Sequence, residues 1–187
     1  MTHLFLSLEA LTHALLDKGN LIRGAVVKGR LYHDQLSVFS DALVRAYVAE
    51  STVARFPRII LLREVVNDYK SVDHSSDEDK YDFIHQSEDG SFFLNSLEII
   101  SQVFGDLSDP DGRMNQIHRF HLMAAKIQEQ FDASVDNPRV FEKVQWFARY
   151  WNETVWQFGG TVHRIRGPGV TPVPEEVRST WEPENWR

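Results

Sequence analysis

Eight histidines and 27 acidic residues are the raw material for chemistry in this 187-residue chain, and no cysteine joins them. His118 and His121 stand i and i+3 in "NQIHRFHLM", so a helix would turn both rings the same way, a spacing that can hold a transition metal. No acidic third ligand lies at helical spacing on that face, and Glu129 is too far along. The two rings are therefore expected to pack against aromatics. His33-Asp34 is a second pair, read structurally as a polar hairpin tip and functionally as a base-proximal pair. His85 has Asp82, Glu88 and Asp89 nearby, but the "EDG" turn explains the last two without function. Residues 71–80, "SVDHSSDEDK", read as a solvated acidic loop, with a cation site as the alternative. Residues 106–113, "DLSDPDGR", read as a loop in which Pro110 and the missing downstream glutamate break the calcium-binding pattern. Trp146, Tyr150, Trp151 and Trp156 girdle one helix, which suits core plus subunit contact better than a ligand cage. The chain has no phosphate loop, dinucleotide fingerprint or Ser-His-Asp order.

These side chains need elements to position them. Leu4, Leu8, Leu11 and Leu15 predict one apolar helix stripe, closed by Gly19. "LIRGAVVKG" and "RLYHDQLSVF" read as two strands joined by a tight turn at Gly29 and Arg30. Residues 40–56 read as a helix capped by Ser40 or Asp41, with Ala42, Ala46, Ala49 and Val53 as a small-residue face, and Pro57 ends it. "RIILL" (58–62) is a buried strand, and "REVVNDYK" supplies one or two helical turns. "YDFIHQ" and "SFFLNS" flank "SEDG", a hairpin with Gly90 in the left-handed position. Two long helices follow. The first carries Ile117, Phe120, His121, Ala124, Ile127 and Phe131 on one face. The second has Asn137 as cap, Pro138 in its first turn, a stripe from Val140 through Val144, Phe147 and Trp151 to Val155, and Gly159-Gly160 as its end. This order predicts an α+β fold, an antiparallel or mixed sheet with helices on one face. One domain covers 1–160. Residues 161–187 form a proline-rich, irregular tail that Trp181 and Trp186 would dock.

Bulk properties narrow the function class. The chain is 42% hydrophobic with a formal net charge of −7, which sets it against nucleic-acid binding as a main task. Its apolar runs fall short of a membrane span, and the first residues lack the basic start of a signal peptide. A cysteine-free soluble chain fits the cytoplasm.

The block from Leu21 to Leu61 resembles class III nucleotidyl cyclase domains, most nearly the bacterial pyrimidine cyclases of antiphage signalling and their uncharacterised relatives. The matching residues are Arg23, Gly24, Ala25, Gly29, Tyr32, His33, Ala42, Leu43, Ala46, Tyr47, Glu50, Ala54, Pro57, Arg58 and Ile59. "EDGSFFLNSLE" looks like the group's "D.DG..fin.l" hairpin. Lys143, Trp146, Tyr150 and Asn152 look like its closing helix. The resemblance implies a ferredoxin-like sheet and a head-to-tail dimer with a nucleotide site between subunits. It also implies two aspartates holding two divalent metals for attack of the ribose 3′-oxygen on the α-phosphorus.

The sequence departs from that pattern where the metals would bind. The family's "F.DilG" strand and "FSDS" turn, which carry its metal aspartates, precede the "RGai" strand, and here neither stands before Arg23. "FSDA" at 39–42 aligns with a helix start instead, which makes Asp41 a cap. The partner-side asparagine and arginine positions fall on Val44 and Val48. What remains to meet a phosphate is Arg45 or Arg55, with Arg23, Gly24, Ser37 and Asp41 as candidate nucleotide contacts; no metal ligand is assigned. The resemblance therefore implies a cyclase-type sheet without its N-terminal strands, inactive alone. Manganese or magnesium would bind only if a longer chain or a partner completes the site. A homodimer or heteromer, with a nucleoside triphosphate as possible ligand, is expected. The alternatives are an active cyclase making cyclic UMP or CMP when complete, and a structural assembly module.

Overall fold

The computed structural model describes residues 1–71, 82–97, 110–156 and 162–170. Its elements are α1 (Thr2–Leu16), β1 (Gly24–Val26), β2 (Tyr32–His33), β3 (Val38–Phe39), α2 (Asp41–Thr52), β4 (Ile59–Leu61), α3 (Arg63–Lys70), β5 (Ile84–Gln86), β6 (Phe92–Leu94), α4 (Pro110–Ala133) and α5 (Pro138–Trp156). The α+β class holds. Four strands form a mixed sheet in the order β1-β4-β6-β5, and β2 and β3 pair only with each other.

The tight turn expected at Gly29 and Arg30 is not there. β1 runs parallel to β4, with Ala25 opposite Ile60. The hairpin lies further on, with Tyr32 opposite Phe39 and His33 opposite Val38. Asp34 moves the turn: its Oδ1 accepts from the amides of Leu36 (2.8 Å) and Ser37 (2.7 Å), and its Oδ2 from the Tyr32 hydroxyl (2.9 Å). An aspartate that binds the amides two and three residues on builds a turn where it stands. Gly29 instead seats its loop on α2, because a Cβ there would lie 2.4 Å from Cβ of Ala42.

Helices cover both faces of the sheet, which corrects the one-face expectation. Strand side chains alternate between faces. Ile59 and Leu61 of β4 and Leu94 of β6 join Phe5 of α1 and Val65, Val66 and Tyr69 of α3. Ile60 and Phe93 point the other way, into a cluster with Phe120, Ile127, Phe147 and Trp151 of α4 and α5. The β5–β6 hairpin forms as expected, with His85 opposite Phe93 and Gly90 at φ 78°.

α1 is helical, but its buried side is not the leucine stripe. Phe5, Glu9, Thr12, His13 and Leu16 face inward, while Leu4 and Leu11 are 45% and 47% exposed. Aromatic packing sets this rotation: the Phe5 ring lies 5.3 Å from Tyr69 and 5.8 Å from Phe83. His13 Nε2–H donates to the Ser96 carbonyl at 2.6 Å, so a polar residue finds its partner inside.

α4 starts at Pro110, so the C-terminal half of the 106–113 stretch is helix rather than loop. The Asn137 carbonyl accepts from Phe141 N at 2.8 Å at the start of α5. Residues 162–170 lie in the main core through Val162, Ile165 and Val170. Backbone and amide side chains hold them there. Asn152 both donates to the Ile165 carbonyl and accepts from its amide, each at 2.8 Å. Gln128 does the same for Arg166, at 2.9 and 2.8 Å. The acidic stretch 72–80, residues 106–109, Gly159-Gly160, Trp181 and Trp186 lie outside the described residues. No described helix is long and apolar enough to cross a membrane.

Candidate functional site

The candidate residues converge on α2 and its surroundings. Ser40, not Asp41, caps the helix: its Oγ accepts from Leu43 N at 2.9 Å. Asp41 is the first helical residue, exposed, with its charge at the positive end of the helix dipole. Ser37 sits in the Asp34 turn. Gly24 has room to spare, since a Cβ there would meet only Ile59 Cγ1 at 3.9 Å. Close approach therefore explains Gly29, not Gly24.

Each candidate arginine is held by a carboxylate. Arg23 pairs with Glu50. Arg45 pairs with Glu64 and also reaches the Lys28 carbonyl at 3.5 Å. Arg55 pairs with Glu142 at 2.8 Å. Lys28 adds a pair with Asp68. These side chains are partly or largely exposed, so each bond is weak and exchangeable. A phosphate approaching Arg45 or Arg55 would compete with a carboxylate already in place.

Beside Arg45 runs an open groove of about 480 Å³, lined by Val44 and Val48 of α2, by Val53 just past its end, by Leu61 and Leu62, and by the hairpin at Phe92. Its walls are chiefly aliphatic, unlike a triphosphate cleft. Apolar side chains on α2 and on the hairpin that precedes it are also exposed. Val44 is 62% and Tyr47 70% exposed; on the β2–β3 hairpin Phe39 is 64% and Leu36 96% exposed. Tyr32 and Phe39 pack on each other with ring centroids 5.1 Å apart and tilted by 43°, and each is more than half exposed.

The sequence marks Arg58 as part of the family resemblance but gives it no role in the site. Its side chain is 1% exposed and bonds Asp89 Oδ2 at 2.6 Å. The guanidinium lies 5.4 Å from the Trp146 ring, 5.6 Å from Phe56 and 5.7 Å from Phe93. Phe56 and Trp146 are themselves stacked, at 5.4 Å and 6°. Partial burial pushes the Asp89 carboxyl up, but bonds from Arg58 and Ser91 outweigh it and hold the carboxyl at about 2. The signal available in the sequence was an arginine opening the apolar run "RIILL" directly after Phe56-Pro57.

The other pairs separate. His118 is exposed, and His121 packs edge-on against His163, with ring centroids 4.2 Å apart. His85 packs against Phe93 at 5.0 Å, and burial lowers its pKa, opposed by Asp82. The tryptophan girdle is core on one side: Trp151 is fully buried and donates to the His163 carbonyl at 3.0 Å. Tyr150 donates to Asn95 Oδ1 at 2.6 Å. Among the described residues no three His, Asp or Glu side chains converge to hold a metal ion. Compared with family models, curated proteins and solved structures, the chain matches none.

Proposed function

We propose that this chain is a class III nucleotidyl cyclase-like subunit that works by association. It pairs with a second copy of itself through α2 and the β2–β3 hairpin. It turns over no nucleotide alone, acting as a pseudo-enzyme or as the complement of a chain that carries the metal aspartates. The observation that carries this is the uncovered apolar face from Leu36 to Val48. A lone two-stranded hairpin is marginal in water. A concentration of exposed aromatic and aliphatic side chains is a usual mark of an interaction surface. A second copy is the fitting occupant because the resemblance implies a dimer whose subunits meet at this part of the fold. The pairing of Arg23, Arg45 and Arg55 with carboxylates supports the same reading. The ferredoxin-like plan of the sheet belongs to this proposal as well. The element order supports it, while the direct parallel contact of β1 and β4 is a feature that a split β-α-β plan does not call for.

Sedimentation over a concentration series tests the pairing. The unmodified chain is expected to associate, and Val44→Glu to weaken association at least about tenfold, since a buried charge at such a face costs more than 1.4 kcal/mol. A strict monomer at every concentration would overturn the association. Incubation with manganese and each of four nucleoside triphosphates tests the rest: a cyclic product from the chain alone would overturn the non-catalytic assignment.

A further inference from the structure

A second hollow of about 290 Å³ lies between α4 and residues 163–166. It is lined by Ala124, Ala125, Gln128, His163, Arg164 and Arg166. The chain as a whole carries −7, yet among the described residues no carboxylate lines this hollow. Arg23, Arg45, Arg55, Arg58 and Arg119 are each paired with an acid. Among the described residues neither Arg164 nor Arg166 has such a pair. Arg164 lies over the Trp156 ring, its Cζ 3.9 Å from the centroid. One donor, Nη2, reaches the Trp156 carbonyl at 3.4 Å, and its buried Nε–H has no acceptor. One lining residue touches an acid: the Gln128 amide donates to Asp132 Oδ1 at 2.9 Å.

The backbone that presents these side chains is fixed. Gln128 and Asn152 bond residues 165 and 166 on both edges, and Trp151 bonds the His163 carbonyl. A short extended segment is thus clamped by amide side chains much as a strand is clamped by its neighbours. The backbone beneath both arginines and the Arg164 side chain are pre-set, so less order would be lost on binding than from a free segment. Guanidinium groups with unfilled donors suit tetrahedral oxyanions, which accept two parallel bonds.

We infer that this hollow is a binding site for a small phosphate-bearing anion, held by Arg164 and Arg166 with His163 at its rim. The site is independent of the apolar face and of any pairing through it. Calorimetric titration of the full chain with inorganic phosphate at low ionic strength tests it. Saturable binding is expected, weakened about tenfold in Arg166→Gln, a change near 1.4 kcal/mol. Arg166 is exposed, and its backbone rather than its side chain makes the clamp, so the variant keeps the fold. His163→Gln is expected to weaken binding as well, and Arg45→Gln on the α2 face to leave it unchanged. No saturable binding, or equal affinity in Arg166→Gln and the unmodified chain, would overturn the assignment.

Discussion

Arg58 is a charged residue deep in an apolar setting, and two of its nitrogens, Nε and Nη1, have no acceptor. Three aromatic faces take up the charge instead. Stacking and stem packing therefore outweigh the single bond to Asp89, whose side chain is half exposed and can be hydrated when left alone. Arg58→Ala is expected to cost about 2–3 kcal/mol, while Arg58→Met, which fills the space without unfilled donors, costs about 1 kcal/mol or less. Urea unfolding of both variants separates the two; equal losses would assign the stability to the charge itself. His13 carries a pH effect. Burial lowers its pKa first of all, the Ser96 carbonyl raises it, Arg119 lowers it and Asp17 raises it, with a net fall below 6.5. The unfolded chain then takes up the proton before the folded one. Stability is complete above about pH 6.5 and declines as pH falls from there towards the folded value. His85 is shifted in the same direction. Unfolding midpoints measured between pH 7.5 and 5.5 are expected to fall on acidification, less steeply in His13→Gln.

At the level of elements, glycines 24 and 29 part company. Gly29→Ala would drive a methyl into Ala42, 2.4 Å away, whereas Gly24→Ala meets only an ordinary contact at 3.9 Å. The first is expected to cost about 1–3 kcal/mol through overpacking and the second less than about 0.5 kcal/mol; denaturant midpoints of the two decide. Their difference shows what a sequence discloses. The β5–β6 hairpin, α5 and the capped start of α2 were legible because their signals are local: Gly90 in a turn, Asn137 before Pro138, Ser40 before an alanine face. The partner of β1 was not legible, since a parallel pairing with Ile59–Leu61 leaves no mark near Gly24. Nor was the inward face of α1. Its leucines follow a clean helical period, but what turns His13 inward is a carbonyl at Ser96, 83 residues away. The same holds for the site: Arg45 and Arg55 stood out as cations, while Glu64 and Glu142, which hold them, came from other helices.

Across the whole molecule, two apolar clusters share one sheet, with β4 and β6 feeding both. Neither cluster can open without exposing a strand of the other, so unfolding is expected to be a single transition. If the α2 face is covered by a second copy, the melting temperature rises with protein concentration, by about 1–3 °C per tenfold for a chain of this size. A calorimetric scan at two concentrations reads it, and a constant value means the face is not an interface. The clamped segment 162–170 also bears on the order in which the protein is made. A nascent chain that ends at Trp156 already holds every described strand and both long helices. It still lacks Val162, Ile165 and Val170, which close the larger core, and the backbone groups that Gln128 and Asn152 bond. Translation can thus deliver almost all the architecture before the step that seals it, and until residues 162–170 clear the ribosome the α4–α5 surface is there for a chaperone to hold.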